Sequence, residues 1–299
     1  MRLKKSVGPY VIPKKVLEEK FRRFVEEDVG QGDITTLLTV QSGTIVEAKI
    51  LAKEYGIIAG IEEALIFLES FGLQANSLVS DGSKVKQKTV VLKIVGDART
   101  LLSIERTLLN LISRMSGIAT ATSKLIEKLR EADHKTRVAC TRKVALGLSY
   151  FDKRAVMIGG GDTHRLHLDD MILVKDNHLA IIGDIDTAVK RVRENVSFSK
   201  KVEVEASTME DALEATKAGV DIVMLDNFTP KQTKKTVELL KKKRLRNKVL
   251  VESSGRITEK NILEFAAAGV DVISLGELTD SAKALDMSLE IVKVRKRKS

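Results

Sequence analysis

Cationic and carboxylate side chains recur at the polar ends of apolar segments in the second half of this 299-residue chain. Arg142 and Lys143 follow RVACT, and Lys175 follows MILV. Glu205 closes KVEVE, Asp226 closes IVMLD, Ser254 and Gly255 close VLVESSG, and Gly276 closes VISLG. His164 and Arg165 follow GGGDT between the first two segments. One polar residue at the end of a strand is ordinarily a turn residue or a helix cap. Six in succession, bringing lysines, an arginine and two carboxylates toward one mouth, are hard to read as six independent caps.

The residue types suit a definite chemistry. Glycines after two consecutive strands, in ESSG and SLGELT, let backbone N–H groups approach a phosphate beside a helix N-terminus. Glu205 and Asp226 supply hard oxygens for Mg²⁺ or for ribose hydroxyls. Arg142, Lys143, His164, Arg165 and Lys175 supply a cluster that suits an anion. The expectation is a site for a phosphorylated sugar, a divalent metal and a second anionic molecule.

The elements that must position these residues alternate. From Thr136 onward, short β-rich segments are separated by stretches with helical periodicity, such as MEDALEATKAG and TEKNILEFAAAG, a pattern that argues for a parallel sheet. Six such units take about 140 residues, against about 250 for a full eight-stranded barrel. The fold class expected is α/β: an N-terminal α+β sandwich-like domain, then an incompletely closed six- or seven-stranded parallel α/β barrel. In the first part, VLEEKFRRFVEED and IEEALIFLESFG read as helices, and GTIVEAKILAKEYGIIAG and VVLKIVGD as strands. A long amphipathic stretch from about Thr100 reads as one or two helices.

Composition narrows the function classes. The net charge of +10 suggests nucleic acid, but charged residues of both signs make up 31% of the chain and aromatic residues only 4%, with no tryptophan. Stacking platforms are therefore scarce, and much of the surplus lies in helix faces such as KKTVELLKKKRLRNK and in the terminal KVRKRKS. No nucleic-acid partner is expected. No run is apolar enough to span a membrane and the N-terminal residues lack an apolar signal stretch, so no membrane partner and a cytoplasmic place are expected. The single cysteine, Cys140, reads as core filler.

These residues also carry a family resemblance. TRKVALGLSYFDKRAVMIGGGDTHRLHLDDMILVKDNH closely resembles the signature of quinolinate phosphoribosyltransferases, with T-R-K, G-G-G-x-x-H-R and K-D-N-H in order. EEDVGQGDITT, ERTLLNLISRMSGIAT, VEVEAST, VMLDNF, VESSGRI and ISLGELTDSAKALDMSL extend the match over nearly the whole chain. The resemblance implies transfer of the phosphoribosyl group of phosphoribosyl pyrophosphate to quinolinate with decarboxylation, giving nicotinate mononucleotide. It implies an N-terminal domain over 1–112, rejoined by 280–299, and a barrel over 113–279. It further implies Mg²⁺ as cofactor and a homodimer, or a higher assembly of dimers, with shared active sites.

Roles follow residue by residue. Arg106, in ERTLLN, resembles an arginine that enters the neighbouring subunit's site to hold a quinolinate carboxylate. Thr141, Arg142, His164 and Arg165 resemble the other quinolinate-binding residues, with Lys143 and Lys175 near the junction of the two substrates. Glu205 and Asp226 resemble the carboxylates that contact the ribose and Mg²⁺. Ser254, Gly255 and Gly276 fall where the family binds the 5′-phosphate. Glu203 lies two residues before Glu205 on the same strand face, so either could serve, and motif register favours Glu205. His178 is expected to orient its loop.

The sequence departs from the family pattern in places. VALGLS replaces T-T-P-G-x-R after T-R-K, ESSGRI replaces E-A-S-G-G-I, and Asp280 stands where many members have histidine. An acid beside a phosphate must face away or pair with a neighbour such as Arg256. The rival readings are a nicotinate phosphoribosyltransferase or related paralogue on the same fold, a barrel aldolase using Lys143 or Lys175 as a Schiff base, and a nucleic-acid-binding protein.

Overall fold

The computed structural model describes residues 12–295, so the terminal basic residues at 1–11 and 296–299 lie outside it. The chain forms two compact units. One comprises the described residues up to Ala121, Met157–Gly159 and those from Ala282 onward. The other comprises Thr122–Val156 and Gly160–Ser281.

The first unit is built on an antiparallel sheet. Strand β1 (Ile45–Ala52) lies between β5 (Val90–Asp97) and the C-terminal strand Met287–Arg295, and β3 (Gln74–Ser77) flanks β5. Strands β2 (Gly56–Ile57) and β4 (Lys84–Val85) form a separate pair. Period-two alternation decides which face of β1 is buried: Val46, Ala48 and Ile50 are interior, whereas Ile45 is exposed and Glu47 and Lys49 are only partly covered. Helices Lys14–Val29 and Ile61–Ser70 meet through Phe21 and Phe67, whose rings stack edge-on at 5.0 Å.

The amphipathic stretch is one helix, Ala98–Glu131. Leu101, Ile104, Leu108, Leu111, Ile112 and Met115 are buried at helical spacing along it.

The second unit holds six parallel strands in the order β6-β11-β10-β9-β8-β7. These are β6 (Arg137–Cys140), β7 (Ile172–Val174), β8 (Val202–Ala206), β9 (Ile222–Asp226), β10 (Leu250–Ser254) and β11 (Val272–Leu275). Strands β6 and β7 do not pair with each other among the described residues, so the sheet is an incompletely closed barrel with six strands and not seven. Helices separate most of these strands, as right-handed βαβ crossovers require.

A repeated device fastens the strand starts. Ala-Gly-Val-Asp occurs before β9 (218–221) and again before β11 (268–271). Asp221 Oδ2 accepts the Val202 N–H at 2.8 Å and Arg193 Nη2 at 2.8 Å, while Arg193 Nη2 also reaches the Gly219 carbonyl. Asp271 Oδ2 accepts the Val251 N–H at 2.7 Å and Arg246 Nη2 at 2.8 Å, with the Gly269 carbonyl in the matching place. The main chain of each aspartate bonds strands on both sides: Asp221 to Val202 and Leu250, Asp271 to Val251 and Arg137. Each carboxylate thus closes one end of the sheet and leaves the opposite strand ends to carry the site.

Candidate active site

A cleft of about 800 Å³ opens at the C-terminal ends of the six strands. It is lined by Thr141, Arg142 and Lys143 after β6, Lys175 after β7, and Glu205 and Asp226 at the ends of β8 and β9. Ser254 and Gly255 after β10, Gly276 after β11, and His164 with Arg165 from the intervening loop complete the wall. Of the residues assigned catalytic or substrate-binding roles from the sequence, all line this cleft except Arg106, which is exposed on the long helix in a segment of the other unit, while Glu203 and His178 lie outside the lining.

The cationic side is assembled against its own repulsion. Arg165 is buried, and its guanidinium pKa is lowered first by burial and next by Arg142. The side chains of Arg142 and Lys143 form no ion pair among the described residues, so a dianion would meet charges that are already placed and only partly compensated. The Lys143 segment is fixed through its backbone: its carbonyl accepts the Thr279 hydroxyl at 2.6 Å and its N–H reaches Thr141 Oγ1 at 3.1 Å.

His164 sits on a strained loop, with φ of 50°, a value that non-glycine residues seldom adopt. Its N–H donates to Asp162 Oδ1, and its Nδ1 accepts the Arg165 N–H at 2.8 Å. Nε2 lies 3.4 Å from both Glu203 and Glu252, two fully buried carboxylates on β8 and β10. Burial acts to lower the imidazole pKa, but the two carboxylates overcome it and push the value up to about 10. The Arg165 amide holds the Nδ1 lone pair, so conversion to imidazolium costs that hydrogen bond. In either state the proton on Nε2 lies between two acids. These three residues are spaced like metal ligands, yet Nε2 has no lone pair to offer.

Glu203 and Glu205 are thereby distinguished. Glu203 lies under His164 with its pKa raised chiefly by burial, whereas Glu205 faces the cleft, where its Oε2 stands 3.3 Å from Lys175 Nζ. Burial also raises the Glu205 pKa, opposed by Lys175 and reinforced by Asp226. Lys175 begins a short helix as its N-cap, and His178 Nδ1 accepts the Lys175 N–H at 2.9 Å, so the histidine orders this turn. Asp226 is held by Asn227, whose amide donates to Asp226 Oδ2 at 2.6 Å and whose backbone N–H bonds the Ser254 carbonyl.

At Gly255 and Gly276 a side chain would collide with a neighbouring side chain. A β-carbon on Gly276 would lie 2.8 Å from Lys143 Cδ, and one on Gly255, at φ of 86°, would lie 2.4 Å from Asn227 Oδ1. Asp280 lines the same end of the cleft and accepts the Ser281 hydroxyl. It forms no ion pair with Arg256 among the described residues.

Sequence reasoning missed Asn227, Glu252 and the buried Lys153. Asn227 and Glu252 stood inside quoted motifs, in LDNF and VESS, but only folding gives them a partner. Cys140 is buried, in keeping with core filler. No helix among the described residues is long and apolar enough to cross a membrane.

Residues 33–116 match the N-terminal domain model of quinolinate phosphoribosyl transferase, and residues 118–290 match its C-terminal domain model. The chain is 47% identical over 270 residues to a probable nicotinate-nucleotide pyrophosphorylase (carboxylating) of Methanothermobacter thermautotrophicus, covering 90% of this chain and 97% of that one. It is 36% identical to the carboxylating nicotinate-nucleotide pyrophosphorylase of Rattus norvegicus, covering 94% and 93%. The solved nicotinate-nucleotide pyrophosphorylase of Francisella tularensis superposes with a TM-score of 0.86 at 34% identity, over 95% of this chain and 98% of that one. Human nicotinic acid phosphoribosyltransferase, with a TM-score of 0.57 at 13% identity over 93% and 74%, shares the fold alone.

Proposed function

The chain belongs to the quinolinate phosphoribosyltransferase family, and from that premise we propose how its cleft carries out the carboxylating nicotinate-nucleotide pyrophosphorylase reaction. The enzyme transfers the phosphoribosyl group of phosphoribosyl pyrophosphate to quinolinate, releasing pyrophosphate and CO₂ and leaving nicotinate mononucleotide. The observation that carries this reading is the division of one cleft: Arg142 and Lys143, which form no ion pair among the described residues, at the β6 side, and hard carboxylate oxygens at the ends of β8 and β9.

Arg142, His164 and Arg165, with Thr141, form the quinolinate side. Arg142 and Arg165 repel each other, and a bound dicarboxylate relieves that repulsion. Ser254, Gly255 and Gly276 receive the 5′-phosphate, and Lys143, lying against Gly276, stands between the two halves with Lys175. Glu205 and Asp226 hold the ribose hydroxyls. They would also hold Mg²⁺, which their oxygen donors suit and which, when bound, supplies positive charge beside the pyrophosphate.

The pyridine nitrogen attacks the anomeric carbon as the C–O bond to pyrophosphate breaks and its electron pair departs with the leaving group. The ring nitrogen is then cationic. The neighbouring C–CO₂⁻ bond breaks, its electron pair is stabilised beside that nitrogen, and a proton from water takes the carboxylate's place on carbon. The protein's part is positioning and electrostatics.

The excess of anionic groups calls for a further cation, and Arg106 from a second copy supplies it in a homodimer or an assembly of dimers. The cytoplasm is the setting for the reaction. A turnover assay with phosphoribosyl pyrophosphate and Mg²⁺, comparing quinolinate with nicotinate and detecting mononucleotide and CO₂, tests the proposal. Quinolinate alone should be consumed, and comparable kcat/KM for both acids would overturn it.

A further inference from the structure

One charged group beside the cleft has no part in the chemistry above. Lys153, on the helix Ser149–Ile158, is completely buried. Its Nζ lies 2.6 Å from the carbonyl oxygen of Thr163, 3.3 Å from that of Thr141 and 3.7 Å from Cys140 Sγ. An ammonium has three N–H bonds to donate, and three acceptors surround this one. Burial lowers its pKa, against the opposing effect of the Cys140 sulfur. Desolvating an ammonium is costly, and an apolar side chain of similar length could fill the same space without that cost.

The two carbonyls belong to the residues immediately before Arg142 and His164. Their segments already touch: Ala139 and Asp162 form a parallel bridge, the Cys140 N–H bonds the Asp162 carbonyl at 3.0 Å, and the Asp162 N–H bonds the Val138 carbonyl at 2.8 Å. Beyond that bridge the two backbones carry side chains that must meet one ligand. In a trans peptide the carbonyl and the following N–H point in opposite directions. Holding the Thr141 and Thr163 carbonyls therefore sets the peptide planes from which Arg142 and His164 start. The Thr163–His164 peptide is held at both ends, with its carbonyl on Lys153 and its N–H on Asp162 Oδ1.

We propose that Lys153 is a positioning residue for the quinolinate side of the cleft: its ammonium, bonded to the Thr141 and Thr163 carbonyls, locks together the two backbone segments that aim Arg142 from one side and His164 with Arg165 from the other. This rests on the assignment of those three residues to quinolinate. No residue assigned to the phosphoribosyl side on β8 to β11 bonds the Lys153 ammonium among the described residues, so donor binding should depend on it far less.

The test uses Lys153→Met, which keeps the length but removes every donor, and Lys153→Gln, which keeps an amide donor. Calorimetric titration should show quinolinate binding weakened on the order of 10- to 100-fold in Lys153→Met, with Lys153→Gln intermediate. Phosphoribosyl pyrophosphate binding with Mg²⁺ should change by less than about threefold, because its groups stand on other strands. Equal losses for both ligands, no loss for either, or failure of both variants to fold by circular dichroism would each overturn the proposal and leave Lys153 a merely structural residue. If the unaltered protein does not bind quinolinate, the assignment of the cleft fails instead. The brace is then judged by a crystal structure of Lys153→Gln, and unmoved Thr141 and Thr163 carbonyls would refute it.

Discussion

The side-chain oxygen of Asn227 occupies the space a β-carbon on residue 255 would need, 2.4 Å from that position. Asn227 in turn donates to the Asp226 carboxylate. The glycine of the turn assigned to the 5′-phosphate and the carboxylate assigned to ribose and Mg²⁺ are therefore coupled through one amide. Gly255→Ala must displace Asn227 and also strain a backbone at positive φ, costing at least about 1 kcal/mol of stability. It should weaken phosphoribosyl pyrophosphate binding by about tenfold and leave quinolinate binding near its original value. Titration of the folded variant with each ligand reads both effects, and unchanged donor affinity would break the coupling.

Arg142→Ala should weaken quinolinate far more than the donor, by about 2 to 4 kcal/mol for the loss of a desolvated charged contact. Removing Arg142 also removes a charge that lowers the Arg165 pKa, so the relief of repulsion that a bound dicarboxylate provides is lost too and adds to the effect. Steady-state kinetics with each substrate varied in turn measure this. Equal changes in both KM values would reassign the residue.

Glu205→Ala and Asp226→Ala should each impair use of phosphoribosyl pyrophosphate and flatten the response to Mg²⁺ while quinolinate still binds. Glu205→Ala also frees Lys175, 3.3 Å away, so its effect should be the larger at low Mg²⁺. If quinolinate binding collapses and donor binding survives, the two halves of the cleft have been assigned the wrong way round.

Two inactive variants, Arg106→Ala and Lys143→Ala, should complement each other when mixed. In a randomly exchanged population half the dimers are mixed, and one of the two sites in each receives both intact residues, so activity should return to about a quarter of the original. Mass spectrometry verifies the exchange. No recovery despite exchange would mean that Arg106 acts within its own chain or has no role in the reaction.

The strand ends were legible because parallel strands read as short apolar runs, which makes a lysine or carboxylate at the end of each one stand out. Period two could not separate Glu203 from Glu205, since both point to one face of β8. The distinction came from a loop about forty residues away in sequence, which lays His164 over Glu203 and leaves Glu205 to Lys175. Nor does the sequence announce that Asp152, Lys153 and Arg154 are all buried. Three charges in succession have the composition of a solvent-facing turn, and the acceptors that make Lys153 tolerable are backbone carbonyls, which leave no trace in side-chain identity. The long helix is one and not two because nothing in its middle, not even Gly117, interrupts its apolar stripe.

The paired Ala-Gly-Val-Asp staples fasten the strand starts, whereas the chemistry stands at the strand ends. Amide exchange with deuterated water should therefore divide the barrel by height. The Val202 and Val251 N–H groups, each held by an aspartate carboxylate, should exchange only when the whole sheet opens, and the peptides carrying Asn227 and Gly255 should exchange through smaller openings. A barrel stiff at its base and looser at its rim can change substrate contacts without changing its unfolding temperature. Substitutions in the cleft and substitutions in the staples should then fall into two separate classes: variants that lose ligands while the slow amides stay slow, and variants in which the slow amides speed up before any ligand is lost.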